Sequence, residues 1–234
     1  MKNSKKGYLF AIILCIKGLV FSQENKYEKL SFSMYTDYVS KIYNINCKIP
    51  ENFTDLKYME FLKIRKDDYR MGVYCPVIQS NDKECILMYD LLLQYNVLVR
   101  NLIKSEIRWM QSLNCCDCLN TDTTNIEYYA TIISGSYAKN MFNADSVIFM
   151  DIPLESAYKD TYTYCTSMFI IKKEHASMIL KWFFTEAGNK DKDKYIKGLS
   201  KSIWYIDGAW TYDSEKRYAP VRDFLNSEIP ENRP

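Results

Sequence analysis

The sequence predicts an α+β fold in which a sheet built from hairpins is covered on each face by a helix or second layer. Three observations predict it. The stretch from Ala144 to Ile206 reads as three strands and a closing helix. Its first strand, Ser146 to Ile152, is apolar on both sides, with Val147 and Phe149 on one and Ile148, Met150 and Ile152 on the other. Such a strand needs a covering layer over each face. Upstream, Tyr95 to Leu113 repeats its apolar residues at three and four, the period of a helix that packs on a sheet.

Taken in order, Gln23 to Phe32 is a polar lead-in, and Met34 to Asn44 is a mixed pattern that fits helix or strand. Ile45 to Ile49 reads as a strand. Pro50 and Asn52 then turn the chain into Phe53-Thr54-Asp55-Leu56, a loop held to the core by its aromatic ring. Met71 to Gln79, the polar turn Ser80 to Lys83, and Glu84 to Leu91 form a hairpin. In the long helix, Tyr95, Val99, Leu102, Ile103, Glu106, Ile107, Met110 and Leu113 share the inner face, with Asn114 at the C-terminal cap. Asn114 to Asn125 is loop, Ile126 to Ile133 a strand, and Tyr137 to Phe142 a short helix.

Pro153 ends the strand at Ile152 because it has no N–H to donate. Tyr162 to Ile171 is rich in β-branched and aromatic residues and pairs through the turn Lys172 to His175 with Met178 to Phe184. Along that return strand, Met178, Leu180, Trp182 and Phe184 share one face, with Ile179, Lys181 and Phe183 on the other. After Gly188 the period becomes helical: Tyr195, Ile196, Leu199 and Ile203 face inward, and Lys190, Lys194, Lys197 and Lys201 form a solvated face. Asn189 or Asp191 is the expected N-cap, with Asp193 in the first turn. Gly198 in mid-helix costs about 1 kcal/mol relative to alanine and marks a close contact. From Asp207 the chain becomes a polar, poorly ordered tail anchored by Trp210 and Phe224, with Pro220, Pro230 and Pro234 in it.

The first 22 residues have the layout of a secretory signal: Lys2, Lys5 and Lys6, then the apolar Tyr8 to Leu14, then cleavage between Ser22 and Gln23. Lys17 interrupts the apolar run, which is too short to span a bilayer. Lipidation at Cys15 is the lesser alternative, because bulky Leu14 precedes it. The expected location is therefore periplasmic or extracellular, with no transmembrane segment in the mature chain. The whole chain has 31 basic and 29 acidic residues, and four of the lysines fall in the signal. The rest is near neutral, without the clustered basic footprint of a nucleic-acid binder. With no Pro/Gly/Ser linker, residues 23–206 read as one domain. Cys47, Cys75, Cys85, Cys115, Cys116, Cys118 and Cys165 remain, an odd number that leaves at least one thiol unpaired within the chain.

No catalytic constellation is legible, and no metal or cofactor is expected. Cys115 and Cys118 have the C-x-x-C spacing of zinc and dithiol centres. They follow a helix rather than opening one, so the dipole has the wrong sign to activate a thiol. A disulfide or plain thiols at Cys115, Cys116 and Cys118 is the expectation. His175, the one histidine, reads as a surface residue of its turn. Ser134-Gly135-Ser136-Tyr137 lacks the G-x-S-x-G pattern and reads as a turn into the short helix. Asp151, Asp160, Asp207 and Asp213 cannot be paired from sequence. The twenty tyrosines read mainly as sheet filling.

The order of hairpin, Thr185-Glu186-Ala187-Gly188, amphipathic helix (Lys194-Tyr195-Ile196 through Leu199) and closing Ser202-Ile203-Trp204-Tyr205 resembles the C-terminal half of the photosystem extrinsic subunit P (PsbP) superfamily. Ile49-Pro50 with Phe53 is similar to that superfamily's early proline-aromatic turn. More closely, the chain resembles uncharacterised exported bacterial proteins of the same plan, over about residues 40–206. The resemblance implies an α/β/α sandwich, a central, mostly antiparallel sheet with helices on both sides, and a non-enzymatic binding or assembly role, and it carries no site residue. The expected function is thus an exported, non-catalytic protein that binds a partner or supports an envelope assembly. Its rivals are an envelope hydrolase or thiol enzyme, using carboxylates or Cys115 and Cys118, and a tyrosine-lined binder of small molecules or glycans.

Overall fold

The strands read at Ser146–Ile152 and Met178–Phe184 form with those bounds, and the sheet grows outward from them. The structure, a computed structural model, describes residues 32–63, 72–90, 93, 95–113, 130–213 and 215. In chain order the elements are α1 (Phe32–Tyr43), β1 (Ile45–Cys47), β2 (Phe53–Lys63), β3 (Gly72–Ser80), β4 (Cys85–Tyr89), α2 (Val99–Leu113), β5 (Thr131–Ser134) and α3 (Ser136–Phe142). There follow β6 (Ser146–Ile152), β7 (Tyr164–Ile171), β8 (Met178–Phe184), α4 (Glu186–Lys190), α5 (Lys192–Gly198) and β9 (Ile203–Tyr205). Seven strands make one sheet in the order β2-β3-β4-β8-β7-β6-β5, antiparallel at every junction. β1 and β9 form a separate two-stranded ribbon, with Ile45 opposite Tyr205.

The alternation within each strand sorts the core into two layers. Val147, Met168, Ile170, Leu180, Trp182 and Phe184 pack on one face under α1, α3, α5 and the ribbon. Ile148, Met150, Phe169, Ile179 and Phe183 pack on the other under α2, which contributes Leu102, Ile103, Ile107 and Met110. The fold class expected from the sequence is therefore observed, a sheet flanked by helices. Lys190, Lys194, Lys197 and Lys201 are solvated, and Gly135, at φ 72°, makes the turn between Ser134 at the end of β5 and Ser136 at the start of α3.

Several elements differ from what the local sequence pattern predicts. Phe53 does not hold a loop; it starts the 11-residue β2, whose register slips between Asp55 and Met59 as Lys57 takes φ 57°. Phe32 belongs to α1 and is buried, not part of a loose lead-in. The long helix begins at Val99 instead of Tyr95. The closing helix is two short helices: Thr185 caps α4, its hydroxyl accepting from the Gly188 N–H at 3.0 Å, and α5 ends at Gly198. Ile203 lies in β9, because the ribbon with β1 offers it a ladder that the helix would not. The close contact expected at Gly198 is instead at Gly188, where a Cβ would stand 2.2 Å from the Glu84 carbonyl oxygen. Asp207 to Asp213 is held in place by Trp210, whose Nε1 donates to the Ile42 carbonyl at 2.8 Å. The segments expected at 1–31 and 114–129, with Cys15, Ser22, Gln23, Asn114, Cys115, Cys116 and Cys118, lie outside the described residues, as do Pro220, Phe224, Pro230 and Pro234. Among the described residues no helix is long and apolar enough to cross a membrane.

Candidate functional site

Strand register places polar side chains from neighbouring strands in one row on the face that α2 covers. Ser167 of β7 lies directly opposite Lys181 of β8, and Lys181 lies opposite Met88 of β4. Asp90, two residues beyond Met88, projects to the same face and continues the pairing through its N–H to the Ile179 carbonyl at 3.0 Å. Cys75 of β3 completes the row, its Sγ 3.5 Å from Asp90 Oδ1. Glu106 enters from above, at an inward position of α2 between Ile103 and Ile107.

Lys181 joins these groups. Its Nζ donates to both Asp90 oxygens at 3.1 Å and stands 3.2 Å from Glu106 Oε2 as an ion pair. The Ser167 hydroxyl donates to Glu106 Oε1 at 2.5 Å. The side chains of Lys181, Asp90 and Glu106 are 1%, 4% and 1% exposed, so water screens none of these charges. Burial by itself would lower the Lys181 ammonium, but Asp90 and Glu106 outweigh it and raise it above its ordinary range. Burial pushes the Glu106 carboxyl above its ordinary 4.5, with Lys181 pulling the other way and Asp90 adding to the rise. Burial, reinforced by Asp90, also pushes the Cys75 thiol well up. A lysine held charged cannot accept a proton from Ser167, and a thiol held protonated is a poor nucleophile. The cluster therefore fastens α2 to the sheet.

Three open clefts lie among the described residues. One, of about 480 Å³, lies where the β1–β2 turn, the β3–β4 turn and α5 meet, and is lined by Phe53, Tyr195, Asn52, Asp82, Lys48 and Lys194 among others. The Tyr195 ring is buried and its hydroxyl donates to Asp82 Oδ2 at 2.8 Å. Burial alone would raise the Asp82 carboxyl, but hydrogen bonds from Ser80, Tyr195 and the Glu84 backbone, with the charge of Lys194, bring it below its ordinary 3.8. A second cleft, of about 590 Å³, runs between β5–β6 and α5, and a third of about 510 Å³ borders α1 and the ribbon. The Lys194–Asp82 pair of the first cleft, at 3.8 Å, suits recognition of a polar surface more than proton transfer.

Of the carboxylates singled out in the sequence, Asp151 and Asp207 do not converge. Asp151 accepts from Thr166 at 2.5 Å and from Lys192 at 2.9 Å, whereas Asp207 accepts from Asn143 at 2.8 Å and from Lys172 at 3.0 Å, so they serve different networks. His175 is not a simple surface residue. It is half-buried, with its ring stacked on Trp210 at 5.7 Å and meeting Tyr205 edge-on, and its Nε2 is buried without a hydrogen-bond partner among the described residues. That environment depends on a tryptophan 35 positions away, which the local lysine-rich context conceals. Among the described residues no group of three or more His, Cys, Asp or Glu side chains could hold a metal ion.

Asp90, Ser167 and Cys75 were missed by pattern reading. Lys181 and Glu106 were placed on inward stripes without being recognised as partners. Their signal was present: one cation and one carboxylate, each at an inward position of an otherwise apolar element. No family model matches the chain, and no curated protein or solved structure is found to match it.

Proposed function

We propose that the chain is an exported, non-catalytic protein that binds a partner protein in the cell envelope, through the cleft between the β1–β2 turn, the β3–β4 turn and α5. The observation that carries the reading is how the polar groups are divided. The convergent ionisable groups of the core are closed off and committed to one another, while accessible amides, lysines and carboxylates gather around a floor of Phe53 and Tyr195. An aromatic floor with a polar rim is the usual anatomy of a contact surface. Kinship with PsbP-like proteins is part of the proposal and rests on the residues quoted for it alone.

The test is site-specific photocrosslinking in intact cells, with the photoreactive residue at Lys48 or Asn52 and a control at exposed Asp160. One discrete protein adduct from the two cleft positions and none from the control is expected. A chain that stays monomeric and unlinked at every position overturns the proposal.

A further inference from the structure

Among the described residues, the closed space beneath α2 holds two carboxylates and one ammonium. With all three ionised, one negative charge is in surplus where water does not reach, an arrangement that carboxylates avoid by retaining a proton. Asp90 holds two of the lysine's hydrogen bonds, whereas Glu106 has a charge contact to Lys181 and the Ser167 hydroxyl. Glu106 is therefore the less compensated of the two. It is also the one carried by the helix, whose described seat on this face otherwise includes the buried apolar residues Leu102, Ile103, Ile107 and Met110, with Val99 packed beside them.

We propose that α2 is a proton-operated latch: with Glu106 protonated the cluster is neutral and the helix seats firmly, and with Glu106 ionised the surplus charge loosens it from the sheet. Among the described residues, the groups that face Glu106 are Asp90 of β4, Lys181 of β8, the Ser167 hydroxyl of β7 and the Cys75 thiol of β3. Lys181 and Cys75 are both pushed up and keep their protons while Glu106 titrates. A carboxyl raised on folding binds a proton that the unfolded chain has released. Stability is thus full below the ordinary 4.5 and is lost as pH rises through the folded value.

The test compares full-length wild type with Glu106→Gln and Asp90→Asn, each of which removes the surplus charge. Glutamine can turn its amide oxygen to Lys181 and its NH₂ to the Ser167 hydroxyl. In urea unfolding followed against pH, the wild-type folding constant should fall by up to about tenfold per pH unit relative to Glu106→Gln in the window above 4.5. A second readout locates the event. Cys75 and Cys165 lie on the face that α2 covers, and Cys85 lies on the opposite face. At one alkaline pH, wild type should label at Cys75 and Cys165 about tenfold or more faster than Glu106→Gln, with Cys85 unchanged. Parallel pH profiles, equal labelling rates, or failure of both variants to fold would each overturn the latch.

Discussion

Replacing Lys181 with methionine tests how the core tolerates its charges. Methionine keeps the length and fills the space, so the change deletes the ammonium more than the packing. It removes two hydrogen bonds to Asp90 at 3.1 Å and an ion pair to Glu106 at 3.2 Å, and leaves two carboxylates at most 4% exposed. Breaking a buried pair in this way costs about 3–5 kcal/mol. That is a large part of the roughly 5–15 kcal/mol that holds a domain together. At about 2–4 °C per kcal/mol for a chain of this size, the expected drop in Tm is about 6–20 °C. The loss should shrink as pH falls toward the ordinary carboxylate range, because Glu106, raised by burial, takes up a proton and one uncompensated charge is removed. Calorimetry or circular dichroism melts at pH 4 and pH 7 read both effects. The combined variant Asp90→Leu, Lys181→Met, Glu106→Leu should be neutral or more stable than the single change by several kcal/mol, since no charge is then left buried. A single Lys181→Met variant that melts at the wild-type temperature at pH 7 would refute the reasoning.

Gly188→Ala should destabilise by about 1–3 kcal/mol in urea unfolding, because a methyl group meets the Glu84 carbonyl at 2.2 Å and α4 must shift. Trp210→Phe deletes the bond to the Ile42 carbonyl and should cost about 1 kcal/mol, with limited proteolysis after Ile206 becoming faster. At mildly acidic pH, Cys75, Cys85 and Cys165 should stay unlabelled by a dipyridyl disulfide until denaturant is added, since all three are buried and burial raises the Cys75 and Cys85 thiols. Rapid native labelling of any of them would contradict the two-layer core.

Sequence periodicity determined the elements that bury one continuous stripe. β6 and β8 were legible to the residue because each alternates apolar side chains on both faces, and α2 was legible because its stripe holds the helical period. Where two structures compete for the same apolar residues, local pattern could not decide. Ile203 fits the helical stripe with Tyr195, Ile196 and Leu199, yet β1 offers it a hydrogen-bonded partner from a segment more than 150 residues away. Phe53 looked like a loop anchor because the strand it opens is broken by the slip near Lys57. The buried cluster shows the same division. Glu106 and Lys181 were visible at inward positions, but their partnership, and the addition of Asp90, Ser167 and Cys75, depends on strand order β3-β4-β8-β7. That order joins the second hairpin to the first across some 90 residues of chain, a long-range choice made by packing both apolar layers at once. One-dimensional pattern fixes which side chains must leave water; only the assembled sheet decides which of them meet.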